Sequence, residues 1–278
     1  MADKYVFIND TFLPEAQASL LVSDLAIQRG YGIFDFFKTI NGKSVFLDDH
    51  LERFYNSIAK MHMSIKQTPD ELKTILRTLQ DKNNLPDSGI KMIVTGGYSL
   101  DGYTMPVVQN LVITQTPFVV PMEFNSKGIS LLTYDYQRPL SEMKTLDYSM
   151  AIWLQPFMKE HEADDVLYQH DGLVKECPRA NFFIVTKDQE IITAKNNVLK
   201  GVIRKNILKL ENTGFKITER DFTLEELQNA SEAFITSTTK HILPVKTIDH
   251  IQLKGSGEVT RRLYDLVLEQ VKQEFKIA

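Results

Sequence analysis

Hydrophobic and polar positions alternate with two different periods along the first part of the chain. Two short apolar segments predict strands, KYVFIND and SLLVSD. IFDFFKTINGKSVFL predicts a β-hairpin, because Asn41-Gly42 is a pair that a type I′ turn favours. The next segment has apolar residues at helical spacing, namely Leu51, Phe54, Tyr55, Ile58 and Met61. The pattern therefore indicates strands and helices in the same region.

The helical and strand patterns continue as far as a break before residue 130. Pro69, followed by Asp70 and Glu71, predicts a helix start, since proline suits the first turn and acidic groups suit the positive end of the helix dipole. GIKMIVTGG and NLVITQTPF then predict strands. FVVPMEFNSKG interrupts this periodicity with proline, asparagine, serine and glycine. We predict an interdomain linker at residues 118–128.

The second half of the chain again contains both kinds of element. The predicted strands are ISLLTYDY, VLYQHDGLVKEC, NFFIVTKDQEIITA, EAFITST and ILPVKTI. The predicted helices are LDYSMAIWLQPFMKEHEA, bent at Pro156, GVIRKNILKLENTG, closed by Gly214, TLEELQNA and EVTRRLYDLVLEQVKQEF. We predict a mixed α/β (α+β) fold in two domains, a smaller one at residues 1–117 and a larger one at residues 129–278.

Composition and charge narrow the class of protein. Apolar residues make up 43% of the chain and charged residues 24%, as in ordinary globular proteins. The net charge of −4 offers no concentrated basic surface for nucleic acid. No apolar run of about 18 residues occurs, which excludes a membrane span, and the N-terminus has no signal-like apolar stretch. We expect a cytoplasmic enzyme.

Cysteine and histidine usage argues against a metal site. Cys177 is the only cysteine, so the chain can form no intramolecular disulfide and no cysteine-based zinc site. The six histidines are scattered and lack the spacing of metal ligands. We therefore predict no bound metal.

Several charged residues lie where they could carry chemistry, although each has a simpler interpretation. Lys144 lies between a proline-containing loop and a helix, and an apolar setting would lower the pKa of a nucleophilic lysine. Glu176 and Arg179 precede an apolar strand, where a carboxylate could face a ring nitrogen and an arginine could fork onto a carboxylate. Taken singly, these residues and Arg53 and Arg29 are more often surface or ion-pair residues.

Two further segments could bind an anion. GVIRKNILKL places backbone amides at a helix N-terminus. ITSTT places the hydroxyls of Ser237, Thr238 and Thr239 at the end of an apolar strand. Many helices follow a glycine and many edge strands end in polar residues, so neither segment identifies a site alone.

Taken together, these segments resemble the class IV (fold-type IV) pyridoxal-phosphate aminotransferases. The resemblance covers nearly the whole chain and is carried, in order, by RGYGIFDFF, LDDHLERF, LSEMKTLDY, LVKECPRANFFIV, VLKGVIR and AFITSTTKHILPV. The family contains D-amino acid aminotransferases, branched-chain aminotransferases and aminodeoxychorismate lyase. The resemblance implies the two-domain fold of the D-amino acid aminotransferases, pyridoxal 5′-phosphate as cofactor, a larger C-terminal domain that binds it, and a homodimer.

The resemblance also implies roles for individual residues. Lys144 matches the Schiff-base lysine, in the K-[ST]-L-[ND] context of the D-amino acid branch, and Glu176 matches the carboxylate facing the pyridine nitrogen. The matches to the remaining cofactor positions are Arg53, Thr238 with Ser237, and the backbone amides of Val202 and Ile203 for the phosphate, and Leu199 for the ring face. Freed Lys144 would act as general base at the substrate α-carbon.

The substrate positions depart from the family's D-amino acid pattern. The arginine and histidine that grip the α-carboxylate there are Asp101 and Tyr103 here, and Phe34 stands where a functional tyrosine is often found. Arg179, with Arg29, is our hypothesis for a substrate carboxylate; a structural ion pair near the dimer interface is an alternative for Arg29. Tyr103, Phe34 and Thr239 complete the predicted substrate positions.

The predicted activity is transfer of an amino group between an amino acid, with D-amino acids favoured, and a 2-oxo acid such as 2-oxoglutarate or pyruvate. Three alternatives stay open at this stage. They are a branched-chain L-amino acid aminotransferase, although Asp147-Tyr148 lies one residue early for its K-x-x-x-N-Y pattern, an aminodeoxychorismate lyase, and a pyridoxal-phosphate-binding protein without catalysis.

Overall fold

The chain folds into two compact units. The computed structural model describes residues 4–119, 122–211, 213–253 and 257–276. The first unit comprises Met1–Val120, Met143–Asp147 and Glu274–Ala278, and the second comprises Pro121–Glu142 and Tyr148–Gln273. The domain limits and the linker at residues 118–128 stay predictions, and Val120 and Pro121 lie outside the described residues.

The first unit is built on one antiparallel sheet. Its elements are β1 (Tyr5–Ile8), β2 (Thr11–Pro14), α1 (Leu25–Arg29), β3 (Gly32–Ile40), β4 (Lys43–Ser44), α2 (Leu47–Lys60), α3 (Pro69–Asn83), β5 (Ser88–Thr95) and β6 (Leu111–Pro117). The six strands lie in the order β2-β1-β6-β5-β3-β4, and each neighbouring pair is antiparallel.

The predicted hairpin is confirmed. β3 and β4 pair through Ile40 and Lys43 around the turn Asn41-Gly42. The φ angles of Asn41 and Gly42 are 51° and 76°, the two positive values that a type I′ turn requires. The turn therefore sets the register in which the edge strand β4 pairs with β3.

Helices α2 and α3 pack an apolar face into the core of the first unit. On α2 the buried apolar residues are Leu51, Phe54 and Ile58, the spacing expected of a half-buried helix. α3 begins as predicted at Pro69, behind a capping box in which Thr68 and Glu71 bond each other's backbone N–H. These helices cover one face of the sheet around Phe37 and Ile90, which are both fully buried.

The segment SLLVSD is not a strand, so that prediction was wrong. Leu21 and Val22 are exposed, and the segment leads into α1. Asp24 caps α1, because its side chain accepts a 2.8 Å hydrogen bond from the N–H of Ala26. The same carboxylate accepts hydrogen bonds from the Thr95 hydroxyl and the Asn110 amide. The apolar residues of this segment therefore belong to a loop that the buried Asp24 organises.

The second unit is built on a larger, mixed sheet. Its elements are β7 (Ile129–Asp135), α4 (Ser149–Trp153), α5 (Gln155–Glu160), β8 (Asp165–His170), β9 (Leu173–Val174), β10 (Glu176–Cys177), β11 (Ala180–Val185), β12 (Ile191–Thr193), α6 (Val202–Leu208), β13 (Ile217–Glu219), α7 (Leu224–Gln228), β14 (Glu232–Ser237), β15 (His241–Ile248), β16 (Ile251–Gln252) and α8 (Glu258–Lys276). The main path is β13-β12-β11-β14-β15-β7-β8-β9, with β10 on β11 and β16 on β15.

Two helix predictions in the second unit had different outcomes. The predicted bend at Pro156 is confirmed, because α4 ends at Trp153 and Pro156 lies in the first turn of α5. α6 is shorter than predicted, since it ends at Leu208 and Gly214 does not cap it.

None of the helices in the described ranges is both long and apolar enough to span a bilayer.

Candidate functional site

Lys144 is fixed to the first unit through its backbone. The N–H of Phe34 donates a 2.8 Å hydrogen bond to the carbonyl of Lys144, and the N–H of Leu146 donates one of 2.9 Å to the carbonyl of Gly32. A Cβ on Gly32 would lie 2.6 Å from Leu146 Cδ1 and 2.8 Å from the carbonyl oxygen of Val94. The glycine therefore allows the lysine segment to lie against the start of β3.

The side chain of Lys144 lies over an aromatic ring. Its Nζ is 4.6 Å from the centre of the Phe34 ring, within the range of a cation–π contact. Lys144 is half-buried. Phe34, predicted as a substrate position, is thus a direct neighbour of the predicted catalytic amine.

Arg53 is held by a buried carboxylate on the adjacent strand. Its Nε and Nη2 donate hydrogen bonds of 2.8 Å to the two oxygens of Asp35. Asp35 also lies 2.7 Å from Nδ1 of His50, one helical turn before Arg53. Among the described residues no acceptor lies on Nη1 of Arg53, so the arginine is oriented and keeps one edge for another anion.

The Asp35–His50–Arg53 cluster keeps its aspartate ionised. Burial alone would raise the pKa of Asp35, but the charges of Arg53 and His50 and their hydrogen bonds outweigh it and lower that pKa. Burial lowers the pKa of His50, and the nearby charges of Arg53 and Lys144 add to that effect against the pull of Asp35. The cluster therefore offers a fixed cation, Arg53, beside a fully buried anion.

Glu176 is a buried carboxylate that the second unit orients from several sides. It is 5% exposed. Its oxygens accept hydrogen bonds from Arg138 Nη2 at 3.1 Å, Asn181 Nδ2 at 3.0 Å and the N–H of Leu199 at 3.0 Å. Arg138 also donates to the carbonyl of Ser141. Hydrogen bonds to the ionised form and the arginine charge favour a carboxylate over a carboxylic acid here.

Asn181 connects Glu176 to the segment before α6. The residues pair directly across β10 and β11, and the Asn181 amide also donates a 2.7 Å hydrogen bond to the carbonyl of Leu199. A Cβ on Gly201 would lie 2.1 Å from Oδ1 of Asn181. One amide thus holds both the carboxylate and the loop that carries Leu199, which is half-buried.

The start of α6 offers backbone amides that no side chain caps. Gly201 is the N-cap, and Val202 and Ile203 are the first helical residues, both buried. First-turn N–H groups have no acceptor within the helix. In the turn after β14, the hydroxyls of Ser237 and Thr239 are 3.3 Å apart, and Thr238 lies between them, half-buried.

The predicted carboxylate-binding residues are exposed. Arg179 lies in the turn between β10 and β11, and its charge opposes the burial that raises the pKa of Asp165. Arg29 ends α1, donates to the carbonyl of Gln28, and makes no ion pair with any described residue. Tyr103 is 82% exposed, and its N–H donates to Asp101, which ties down its own loop.

Four residues that shape these groups were missed in the sequence. They are Asp35, His50, Arg138 and Asn181. A signal existed for two of them: Asp35 interrupts an otherwise apolar strand, and His50 lies three residues before Arg53 on one helix face. Arg138 and Asn181 act through partners far along the chain, which residue spacing does not show.

The chain matches a family model and resembles named proteins over most of its length. The family described as Amino-transferase class IV matches residues 32–248. A D-alanine aminotransferase of Bacillus licheniformis is 30% identical over 258 residues, covering 91% of this chain and 90% of that protein.

Two solved structures share the fold. The branched-chain amino acid aminotransferase from Escherichia coli has a TM-score of 0.88 at 21% identity, covering 98% of this chain and 95% of that one. A putative 4-amino-4-deoxychorismate lyase from Legionella pneumophila has a TM-score of 0.84 at 23% identity, with coverages of 92% and 97%. The predicted fold-type IV architecture is confirmed. The chain belongs to the class IV aminotransferases and is a pyridoxal-phosphate-dependent transaminase.

Proposed function

We propose that this aminotransferase moves the amino group of a D-amino acid to a 2-oxo acid such as 2-oxoglutarate or pyruvate. The observation that carries the D-preference is the 30% identity, over nine-tenths of both chains, to a D-alanine aminotransferase. The Lys144-Thr145-Leu146-Asp147 sequence also matches the K-[ST]-L-[ND] context of the D-amino acid branch. The branched-chain and lyase structures resemble the chain in fold, at lower identity.

The geometry of Glu176 fits the ring nitrogen of the cofactor. A carboxylate held ionised by Arg138 and Asn181 can keep a proton on a pyridine nitrogen. Burial strengthens that interaction, since the effective dielectric constant around a buried group is low. We assign Glu176 to the ring nitrogen and Leu199 to the ring face.

The donor set also fits the cofactor phosphate. The guanidinium of Arg53 is oriented by Asp35, and its Nη1 can donate hydrogen bonds to an anion. α6 begins with backbone amides that no side chain caps. Ser237 and Thr238 add hydroxyls at a strand end. We assign Arg53, the amides of Val202 and Ile203, and these two hydroxyls to the phosphate.

Lys144 is the residue we assign to the reaction itself. When bound, pyridoxal phosphate supplies a carbonyl carbon that bonds to amines and a ring that accepts electrons from the substrate α-carbon. Lys144 would hold the cofactor in the resting enzyme and, once released by the substrate amine, would move a proton to or from the α-carbon. Phe34 restricts the position of its amine.

We also assign the predicted substrate-binding residues to the substrate. Arg179 and Arg29 are exposed guanidinium groups suited to a carboxylate, and Arg29 makes no ion pair among the described residues. Tyr103 and Thr239 complete the assignment with their hydroxyls. If Arg179 binds the substrate, Arg179→Ala will lower the affinity for the amino acid in half-reactions with D- and L-amino acids. An unchanged affinity would show that Arg179 does not bind the substrate.

The activity is tested by following the cofactor spectrum against single substrates. Rapid conversion with D-alanine or D-glutamate and slow conversion with L-leucine or L-glutamate is the expected result. The reverse preference contradicts the D-assignment and favours a branched-chain or other L-enzyme. Release of pyruvate and 4-aminobenzoate from aminodeoxychorismate without an amino acceptor would make the chain a lyase. Lys144→Ala should abolish conversion and the absorption band of the lysine-bound cofactor.

A homodimer is part of the proposal. Two neighbouring loops of the first unit expose apolar side chains, and a 3.0 Å hydrogen bond from Ser99 N–H to the Ser23 carbonyl joins them. The exposed side chains are Leu21, Val22, Ile27, Leu100, Tyr103, Val107 and Val108. Exposed apolar side chains gathered on neighbouring segments are typical of a protein interface. Sedimentation should give twice the mass of 31.9 kDa, and a monomer contradicts the proposal.

We also assign the enzyme to the cytoplasm. Its single cysteine, Cys177, is buried and has no cysteine to pair with, as suits a reducing compartment. Fractionation of cells that produce the protein tests this assignment.

A further inference from the structure

A second lysine shares the Phe34 ring with Lys144. Lys91 Nζ lies 4.7 Å from the centre of that ring, and Lys144 Nζ lies 4.6 Å from the same point. Both distances are measured to one centre, so the two amines are at most about 9 Å apart. All three residues belong to the first unit.

The strand register explains how Lys91 reaches this ring. Lys91 on β5 pairs directly with Phe36 on β3, and Phe34 is two residues along β3. Directly paired residues and residues two apart share a face of a sheet, so Phe34, Phe36 and Lys91 lie on one face. Asp35 lies on the other face, where it bonds Arg53 and His50. Its carboxylate therefore does not neutralise Lys91.

The charge of Lys91 is not neutralised within the described part of the chain. No described residue forms an ion pair or a hydrogen bond with its amine, which lies over the Phe34 ring. The side chain is half-buried, and burial lowers its pKa. A ring face attracts a cation but accepts none of the three ammonium N–H donors in the way an oxygen does.

From these contacts we infer that Lys91 binds a carboxylate group of the amino acid or 2-oxo acid substrate. The inference rests on the proposed function. An ammonium–carboxylate hydrogen bond is about 2.8 Å long, so a carboxylate on Lys91 lies within reach of a substrate whose α-carbon is at Lys144. The Phe34 ring contacts both cations and so keeps the two amines near each other.

The sequence departs from the D-amino acid pattern at Asp101 and Tyr103, where the usual carboxylate grip is missing. Asp101 repels a carboxylate, and its oxygens accept hydrogen bonds from its own loop, Oδ1 from the N–H groups of Tyr103 and Thr104 and Oδ2 from the Thr104 hydroxyl. A cation on the sheet face beside the catalytic lysine supplies the missing charge from a rigid strand. Lys91 is thereby a substrate-binding residue alongside Arg179 and Arg29.

The test measures binding of two unreactive acids, propionate and glutarate, to the cofactor-loaded protein by calorimetry. Lys91→Met removes the charge at nearly constant length, and Lys91→Arg keeps it. Lys82→Met is the matched control, because Lys82 also lies over aromatic rings, 5.0 Å from Tyr5 and 5.7 Å from Phe12, and is exposed.

Lys91→Met should weaken binding by about 10- to 100-fold, the loss expected for one hydrogen bond between charged groups. Lys91→Arg should retain most of the affinity, and Lys82→Met should leave it unchanged. Weaker binding of both acids places the α-carboxylate on Lys91, whereas a loss confined to glutarate places the distal carboxylate there.

Equal affinities for wild type and Lys91→Met overturn the inference, as does a weaker affinity for pyridoxal phosphate with acid binding unchanged, because the anion would then be the cofactor's. If Lys91→Met fails to fold, Lys91→Gln replaces it. Failure of the D-amino acid assignment shows in the spectra of the wild type, which this binding measurement does not use.

Discussion

Arg53 and Asp35 face each other in a two-bond fork, with both nitrogen–oxygen distances at 2.8 Å. Asp35 is fully buried, so the fork fixes the guanidinium more firmly than an exposed pair would. Arg53 is the assigned phosphate ligand. Its capacity to bind the cofactor phosphate should therefore depend on Asp35, which orients the guanidinium.

Asp35→Asn should weaken binding of pyridoxal phosphate to the apoprotein by about tenfold or more, because the arginine loses its charged partner and its orientation. Equilibrium titration followed by absorbance measures this. Asp10→Asn, which removes an exposed carboxylate 3.1 Å from Lys66, is the control and should leave the affinity unchanged. An affinity unaltered by Asp35→Asn would show that the fork does not orient Arg53 for the cofactor.

Asn181→Ala should lower kcat by roughly 10- to 100-fold, since Glu176 and the Leu199 segment both lose a hydrogen bond and shift from their positions. Steady-state kinetics measures the effect on kcat and KM separately. Asn83→Ala removes a comparable amide that bonds Tyr5 and Gln115, so it controls for a general loss of stability. Equal losses of kcat in the two variants would contradict a positioning role for Asn181.

Thr68→Ala should lower the free energy of unfolding by about 1 kcal/mol, because it removes the side-chain acceptor at the start of α3. Urea unfolding measures the change. Thr74→Ala is the matched control within the same helix, where the hydroxyl bonds the carbonyl of Asp70 and caps nothing. A larger loss in the control than in Thr68→Ala would contradict the importance of the capping box.

Lys38 should make the stability of the enzyme rise with pH above neutrality. It is fully buried, and burial lowers its pKa from 10.5 to about 7. Between these two values the unfolded chain binds a proton that the folded chain does not, so the free energy of unfolding increases with pH. Below the folded pKa both states are protonated and the burial penalty is present in full.

Urea unfolding from pH 6 to 10 tests this against Lys38→Met, which has no such proton. The stability of the wild type should increase relative to the variant above pH 7 and should still be rising at pH 10, because the pKa of Lys38 in the unfolded chain is 10.5. Lys82→Met supplies the same comparison for an exposed lysine. A difference between wild type and Lys38→Met that stays constant with pH would contradict the role of Lys38.

Features that depend on a few adjacent residues were predictable from the sequence. The Asn41-Gly42 turn, the start of α3 at Pro69 and the break at Pro156 follow from the backbone preferences of those residues. The end of α6 was not, because the helix stops at Leu208 without a glycine signal. SLLVSD was wrongly predicted for the related reason that exposed apolar residues look the same in sequence as buried ones.

The residues of the candidate site also differ in whether the sequence shows them. Lys144, Arg53 and Glu176 lie in recognisable motifs, and their assignment came from the order of those motifs. The position of Lys91 beside the Phe34 ring follows from the pairing of β5 with β3, which brings together residues more than fifty positions apart. The spacing of residues along the chain does not show which residues of two distant strands are paired.

Gly201 has an ordinary extended backbone, with φ −63° and ψ 145°, so the conformation itself does not demand glycine. What excludes a side chain there is the amide of Asn181, whose Oδ1 would be 2.1 Å from a Cβ. Even alanine would have to push that amide away, and with it the support of Glu176. With Glu176 assigned to the ring nitrogen, the absence of a side chain at Gly201 supports the proposed cofactor site indirectly, through Asn181.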